Sequence, residues 1–477
     1  MKKLLTVITL FASLSLFAEN IHTVVEIQPP EGVVLEVGGM KIAKDGTVYV
    51  CTRRGNVWAL KDGKWTQFAE GLQEALGLVI GDKKGEIYVL QRPELTRLVD
   101  EDGDGKADLY HSFSNGWGFS ANYHEYAMGL IRDKEGNFYF GLGLPFYTKS
   151  PFKGRWLGTM DVADRGWYLK VDKNGNWSHY ASGVREPVGG AINDAGDIFI
   201  SDTQGSFVST NYIIEVKKGD FLGHPDGLLW DKSKTEKVKT LLSMDIDARN
   251  KKLDEMRKKP VVYIPYREMG ATVGSMQYDR TGGKFGPFKG QMLIADVIQP
   301  LIMRATIEKV NGVYQGAVFT LFRGGNLGGG SHKLEFDANG DLYIGQTARG
   351  WGKGQGLKKM SFGGKTMMDV LEMNLEKDGF TVKFTQAVDP TVGANKDSYK
   401  FEIFNYQFTH VYTAKQLNKQ KLTVTGVTLA KDGLSAKVKI PGLKKDHVVG
   451  FDYSALKSAK GEMPANKKAY YTINALK

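Results

Sequence analysis

One phrase of polar and apolar positions recurs along most of the chain. Each copy has a polar turn, a glycine, a polar residue and then a run of β-branched and aromatic residues, as in 44–50 (KDGTVYV) and 339–344 (NGDLYI). This order is typical of a hairpin whose turn glycine has positive φ and is followed by a strand. The turn glycines are Gly46, Gly85, Gly136, Gly196, Gly290 and Gly340. Because four strands need roughly 40 residues, the repeat predicts an all-β chain with a six-bladed β-propeller.

The longest interval between turn glycines separates Gly196 from Gly290. Within it, residues 232–259 are strongly charged, contain neither Gly nor Pro, and carry spaced apolar positions. That pattern predicts a helix from Ser243 to Lys259 on a loop above the propeller.

A different pattern of apolar and polar residues begins after the last copy of the phrase. Apolar and polar residues alternate with period two in 379–385, 399–403, 422–427, 435–440 and 469–473. Short strands at regular spacing predict a small Ig-like β-sandwich. The expected division of the chain is a signal peptide at 1–18, a propeller at 26–372 and a sandwich at 376–477.

The N-terminal residues have the pattern of a secretory signal. Lys2 and Lys3 precede an apolar run from Leu4 to Phe17, and Ala18 is a plausible cleavage site. This run is too short for a typical membrane span. The expectation is a secreted or periplasmic protein without a membrane span.

Charge and cysteine content limit the partners and cofactors that the sequence allows. The chain has 64 Lys and Arg against 53 Asp and Glu, a formal charge of +11. The positive charge is dispersed and is interpreted as a solubilising surface, and nucleic acid is not expected as a partner of an exported protein. Cys51 is the only cysteine, so an intramolecular disulfide and a Cys-x-x-Cys-His attachment of c-type haem are both excluded.

Alternating aspartates form the sharpest local motif. Asp100, Asp102 and Asp104 alternate before Gly105, and Asp108 follows. Several carboxylates around one point suit Ca²⁺, so a calcium loop between strands is predicted. The alternative is a solvated acidic turn.

Three further groups lie where inner strands of a propeller would begin or end. His124 precedes the third phrase and is a candidate general base. Arg185 precedes the fourth phrase, which is followed by Asp202, Gln204, Gly205 and Ser206, a set that could hold a cation. The alternatives are a histidine hydrogen-bonded in a loop and a surface ion pair.

The third group lies on both sides of the final copy of the phrase. His332 and Lys333 precede it, and Arg349 and Trp351 follow it. An arginine beside a Gly-Trp-Gly loop could clamp a carboxylate or stack on a sugar. Trp351 could equally be a packing residue.

Residues 183–187, 202–206 and 219–225 resemble the soluble glucose and sorbosone dehydrogenases. Those proteins are six-bladed propellers that bind pyrroloquinoline quinone (PQQ) through Ca²⁺ and oxidise sugars. The resemblance implies that His124 is the general base and that Arg185 stabilises negative charge on the cofactor. It implies further cofactor contacts from Gln204, His332, Lys333 and Arg349, and calcium ligands at Asp202, Gly205 and Ser206.

Nearly the whole chain also resembles the membrane-bound dehydrogenase domain of large secreted bacterial proteins. The matching segments are 100–108, 124–126, 284–288, 346–352 and 384–389. In many of those relatives a haem-c domain follows; none follows in this sequence. The lysine and two arginines that hold the quinone in glucose dehydrogenases correspond here to about Ile298, Gly330 and His332.

Three functional hypotheses follow. The first is a secreted carbohydrate oxidoreductase of the quinoprotein type, with an electron acceptor that the sequence does not identify. The second is a cofactor-free propeller that binds a polysaccharide or cleaves it by lyase or hydrolase chemistry, with His124, Tyr123, Tyr126, Arg185 and Arg349. The third is a non-catalytic envelope scaffold.

Overall fold

The computed structural model describes residues 21–158, 162–348, 352 and 354–477. The predicted signal peptide lies outside the described residues, as do Arg349 and Trp351. Up to residue 362 the strands are β1 (His22–Ile27), β2 (Val37–Ile42), β3 (Val48–Thr52), β4 (Val57–Lys61), β5 (Lys64–Ala69), β6 (Gly77–Ile80), β7 (Glu86–Leu90), β8 (Glu94–Val99), β9 (Leu109–Asn115), β10 (Ala127–Arg132), β11 (Phe138–Leu142), β12 (Trp167–Val171), β13 (Trp177–Ser182), β14 (Pro187–Ile192), β15 (Ile198–Asp202), β16 (Asn211–Val216), β17 (Val262–Ile264), β18 (Val273–Tyr278), β19 (Met292–Asp296), β20 (Leu301–Val310), β21 (Val313–Arg323), β22 (Ser331–Phe336), β23 (Leu342–Gln346) and β24 (Gly356–Phe362).

These strands form a ring of six antiparallel blades, which confirms the propeller prediction. The blades are β2 to β5, β6 to β9, β10 to β13, β14 to β17, β18 to β21, and β22 to β24 with β1. The inner strands β2, β6, β10, β14, β18 and β22 contact one another in that order around the axis. The six turn glycines all have positive φ, between 76° and 92°, as predicted for tight turns.

The N-terminal strand closes the ring. β1 pairs antiparallel with β24, with Val24 opposite Met360, and becomes the outer strand of the last blade. The sequence repeat did not show this, because β1 carries no turn glycine. The N-terminal strand thus supplies the fourth strand of the last blade and closes the ring.

The insertion between β16 and β17 of blade four contains two helices where the sequence predicted one. They are α1 (Thr235–Ser243) and α2 (Ile246–Met256). Asp245 caps α2 by accepting hydrogen bonds from the amides of Asp247 and Ala248. The predicted start at Ser243 was therefore wrong, because the chain is extended at Met244 between the helices. No helix in the described part of the chain is both long and apolar enough for a membrane crossing.

The C-terminal strands form a sandwich that shares a sheet with the propeller. Its elements are β25 (Val370–Glu376), β26 (Gly379–Phe384), α3 (Pro390–Ala394), β27 (Lys400–Tyr406), β28 (Gln416–Leu422), β29 (Gly426–Leu429), β30 (Ser435–Lys439), β31 (His447–Asp452) and β32 (Lys468–Ile473). One sheet has the order β25-β26-β30-β29. The other, β28-β27-β31-β32, continues through β21 into blade five and gives a single eight-stranded sheet. The β-sandwich prediction is confirmed, and its fusion with a blade is a finding of the structure.

A buried polar group links the two parts. Arg304 of β20 lies between the rings of Phe288 and Phe319, with its guanidinium carbon 4.2 and 4.3 Å from their centroids. It donates hydrogen bonds to the carbonyls of Val370 and Leu371 and lies 3.6 Å from the carboxylate of Asp369. Blade five and the start of β25 are therefore held together by one fully buried cation.

Candidate functional site

Two cavities lie on the axis of the ring. The upper one opens where the inner strands begin, a face that we call the top, and has a volume of about 100 Å³. Register shifts interrupt the inner strands β2, β10, β14, β18 and β22 near this level. Such bulges redirect side chains from the sheet toward the axis. The lining residues are Arg53, Leu76, Tyr123, His124, Tyr126, Met128, Glu186, Val188, Thr272, Val297, His332 and Thr347.

The floor of the upper cavity is apolar. Leu76, Tyr126, Met128 and Val188 form one buried cluster across the axis. They come from the starts of three neighbouring inner strands, where the chain enters the ring. The polar side chains of the cavity therefore stand on a floor that excludes water, which strengthens electrostatic interactions among them.

His124 is positioned by a backbone carbonyl. Its Nδ1 lies 2.8 Å from the carbonyl oxygen of Leu144, and the ring is only 3% exposed. Since a carbonyl can only accept, Nδ1 carries the proton of the neutral ring and Nε2 is the basic nitrogen. Burial lowers the pKa of His124 below its ordinary value of 6.5, and the carboxylate of Glu186 opposes this. The ring is consequently a neutral base at pH 7.

Glu186 joins the two predicted catalytic residues. Its Oε1 lies 3.6 Å from His124 Nε2, and its Oε2 lies 3.3 Å from Arg185 Nη1. Glu186 is not among the site residues predicted from the sequence. In the fold it is the carboxylate that brings His124 and Arg185 into one network.

Asp202 accepts hydrogen bonds from its own loop, and its metal role stays a prediction. Asp202 is fully buried, and each of its oxygens already accepts two hydrogen bonds. The donors are the amides of Arg185, Glu186 and Thr203 and the hydroxyl of Tyr212. Burial raises the pKa of Asp202 to about 6, while these donors favour the ionised form. The carboxylate holds the loop that presents Arg185 and Glu186.

Gly205 packs against Arg185, and Ser206 forms hydrogen bonds with neighbouring loops. A Cβ on Gly205 would fall 2.2 Å from Arg185 Nε, so only glycine lets the guanidinium pack there. Ser206 Oγ accepts the amide of Arg155, and its carbonyl accepts the amide of Val208. This second pair of predicted metal ligands therefore serves the loop and the packing of Arg185.

Gln204 is covered by the C-terminal sandwich. Its Nε2 donates to the hydroxyl of Tyr412 at 2.5 Å, and its Oε1 is buried without a hydrogen-bond partner. Tyr412 belongs to the loop after β27, which packs on blade four through Phe408 and Phe207. Nothing in the local sequence around residue 412 indicates this contact, which joins positions 208 residues apart.

Aromatic rings form a row beside the mouth of the cavity. Tyr123, Phe146, Trp156 and Tyr412 follow one another with centroid separations of 6.0, 6.1 and 5.2 Å. Tyr123 is 48% exposed and Trp156 is 42% exposed. We call these four residues the aromatic row. The Arg185 guanidinium lies 5.7 Å from the ring of Tyr412, so the row reaches the polar network.

His332 and Lys333 do not share a site. His332 lines the upper cavity, and its Nδ1 lies 3.0 Å from the carbonyl oxygen of Val37. Lys333 lines the second, lower cavity. Successive residues of a strand point in different directions, which explains the separation. Lys333 therefore lies in a different cavity from His124 and His332, and its cofactor contact stays a prediction.

The acidic loop lies on the opposite face. It joins β8 to β9, and the antiparallel order of the blade places that connection at the bottom. Ligand oxygens of Asp100, Asp102 and Asp108 lie within 4.8 Å of one another, whereas Asp104 is outside the group. Asp104 Oδ1 accepts the amide of Lys106, and its part in a calcium site stays a prediction.

A known sequence family matches the central part of the chain. The sequence model of a family described as "Domain of unknown function (DUF7133)" matches residues 59–318, more than half of the chain. The chain belongs to the DUF7133 family. No curated protein matches it.

Solved structures share the propeller fold at low identity. The PQQ domain of pyranose dehydrogenase from Coprinopsis cinerea is 11% identical, with a TM-score of 0.53, over 71% of this chain and 95% of that one. A family AA12 carbohydrate-active enzyme from Trichoderma reesei is 11% identical, with a TM-score of 0.54, over 72% and 97%. The soluble aldose sugar dehydrogenase from Escherichia coli is 13% identical, with a TM-score of 0.50, over 72% and 99%. The likeness confirms the fold that the sequence resemblance implied.

The described residues do not fit PQQ, which carries three carboxylates. Arg53 pairs with Glu36 at 3.0 Å, and Arg185 pairs with Glu186, which adds a negative charge to the cavity. Burial lowers the pKa of His332 to about 3, so this ring is neutral. The space of about 100 Å³ is also below the roughly 300 Å³ typical of cofactor sites. No uncompensated cation among the described lining residues is available to the quinone.

Proposed function

We propose that the upper cavity and the aromatic row bind a carbohydrate chain, and that His124 acts on it as a general base without a quinone. This is the cofactor-free hypothesis, a propeller that binds or cleaves polysaccharide. The observation that carries it is the neutral His124, whose Nε2 faces the cavity 3.6 Å from the Glu186 carboxylate.

The pair of groups suits proton transfer to and from a substrate. A base fixed in one tautomer by a carbonyl can take a proton from a hydroxyl, a C–H group or an attacking water. Protonation gives an imidazolium that Glu186 stabilises through its negative charge. Cleavage by hydrolysis or by elimination needs such transfers and no electron acceptor.

The aromatic row suits a sugar chain. Exposed aromatic rings can pack against the C–H face of a sugar while polar groups nearby bind its hydroxyls. Trp156 and the neighbouring Tyr147 have φ values of 69° and 58°, in the left-handed region that bulky residues rarely occupy. Backbone strain of this kind is concentrated in binding loops, which supports a role for this surface.

The first test is a glycan screen with a matched pair of variants. The mature protein is incubated with neutral and uronate-containing polysaccharides, and new reducing ends and unsaturated products are measured. His124→Ala is expected to lower turnover by about 100-fold or more while glycan binding persists. His111→Ala, an exposed histidine on β9, is the control and should behave as the wild type. Turnover retained in His124→Ala would contradict the proposal.

Calorimetric titration of PQQ, with Ca²⁺ and after chelation, tests the competing oxidoreductase hypothesis. No binding is expected in either condition, because Arg185 is already paired and Glu186 repels a trianion. Tight, calcium-dependent binding would overturn the cofactor-free proposal in favour of sugar oxidation, the chemistry named for the structural neighbours.

Two further parts of the proposal concern calcium and location. Asp100, Asp102 and Asp108 are proposed to bind Ca²⁺ as a brace between blades, since Ala107 donates its amide to the carbonyl of Phe68 in blade one.

Export after removal of residues 1–18 is proposed from the sequence alone. N-terminal sequencing of the protein recovered from its native host tests the second point.

A further inference from the structure

The lower cavity on the axis is a separate pocket. It has a volume of about 410 Å³ and is lined toward its mouth by the residues that end the inner strands, on the face opposite His124. The apolar floor of Leu76, Met128 and Val188 lies between the two cavities. The carbohydrate binding and proton transfer proposed for the upper cavity do not use this space.

Lys333 stands in this cavity without a partner. The residue is 8% exposed, and within the described part of the chain no hydrogen bond or ion pair involves its Nζ. Cys51 is its nearest titratable neighbour of opposite sign, but burial raises the pKa of that thiol to about 12. The thiol is therefore neutral and cannot balance the ammonium.

The other basic residues of the lining are paired. The lining has four basic residues (Lys41, Arg132, Arg280 and Lys333) and two acidic ones (Asp133 and Glu335). The other three cations have carboxylate partners, namely Glu335, Asp82 and Asp194. The unbalanced charge is therefore centred on Lys333.

Glycines of the inner strands line the lower cavity. A Cβ on Gly39 would fall 2.6 Å from the amide nitrogen of Leu78, and one on Gly189 would fall 2.7 Å from the Cα of Ser275. The inner strands approach each other so closely only because these side chains are absent. Backbone atoms of these strands therefore form part of the cavity wall.

We propose that the lower cavity binds a small oxyanion, inorganic phosphate or a carboxylate, at the Nζ of Lys333. A buried charge without a partner is costly, and an anion that enters from the open end would supply the missing partner. An ammonium binds phosphate or carboxylate through charge-assisted hydrogen bonds. This site does not depend on the chemistry proposed for the upper cavity.

Phosphate binding to the whole protein tests the proposal. Inorganic phosphate is titrated by calorimetry in a chloride-free buffer, with acetate and chloride in parallel titrations. Saturable binding of phosphate or acetate is expected, and Lys333→Met should weaken it at least about tenfold. Lys84→Met, which removes an exposed lysine from a turn, should leave it unchanged, and Lys333→Arg should retain it.

A second measurement needs no variant. Reductive methylation of the wild type followed by mass spectrometry reports how accessible Lys333 Nζ is, and phosphate should protect it more than it protects Lys84. Absence of saturable binding, equal binding by Lys333→Met, or unchanged methylation of Lys333 would overturn the site. Binding of chloride alone would overturn its assignment to an oxyanion.

Discussion

Arg304 offers the sharpest test of how the sandwich is joined to the ring. Arg304→Met preserves the apolar contacts with Phe288 and Phe319 but removes the hydrogen bonds to Gln291, Val370 and Leu371. It also leaves the Asp369 carboxylate, 1% exposed, without its cation. Removing one partner of a buried pair costs about 3–5 kcal/mol. We expect the free energy of unfolding to fall by that amount.

The assay is urea unfolding followed by far-ultraviolet circular dichroism, which monitors the strands of both parts. The double variant Arg304→Met/Asp369→Asn is the matched comparison, because it removes the stranded charge as well. In the double variant the Asn carbonyl would keep the hydrogen bond from Tyr453, while its amide group would face Asn466 Nδ2 and lose that bond. The double variant should therefore recover about 1–2 kcal/mol of the loss. A loss below about 1 kcal/mol for Arg304→Met, or a double variant less stable than the single one, would refute this reasoning.

The pH dependence of the same variant has a definite sign. Burial raises the pKa of Asp369 above its ordinary value of 3.8, and Arg304 opposes this. Without Arg304 that pKa rises further, so the folded state holds the proton more tightly than the unfolded state. The cost of ionising the buried carboxyl is then present at pH 7 and shrinks as the pH falls. The difference in unfolding free energy between wild type and Arg304→Met should be smaller at pH 5 than at pH 7.

Three other predictions concern the site and the acidic loop. Tyr412→Ala should weaken glycan binding about tenfold with little change in turnover at saturation, measured by calorimetry and by steady-state kinetics, whereas an unchanged affinity would remove Tyr412 from the site. Glu186→Gln should lower the pKa of His124, observed by NMR titration, because the carboxylate is the nearby charge that raises it. Ca²⁺ should raise the melting temperature of the wild type but not of Asp102→Asn, and an equal rise in both would argue for a solvated acidic turn.

The sequence alone determined the elements that depend on local chemistry. A glycine with positive φ followed by β-branched and aromatic residues defines a hairpin wherever it occurs, so six copies sufficed to predict six blades. Period-two alternation likewise predicted the strands of the sandwich. The position of His124 before an inner strand was also readable, because every inner strand of a propeller starts at the same face.

The tertiary structure decided which side chains meet. Lys333 and His332 are neighbours in sequence but face different cavities, and Tyr412 reaches Gln204 across 208 positions. Asp202 was a candidate calcium ligand by family resemblance, yet in the fold its carboxylate accepts four hydrogen bonds from its loop and Tyr212. These outcomes depend on packing between distant segments, where burial and hydrogen-bond satisfaction are set by the assembled ring and sandwich rather than by local pattern.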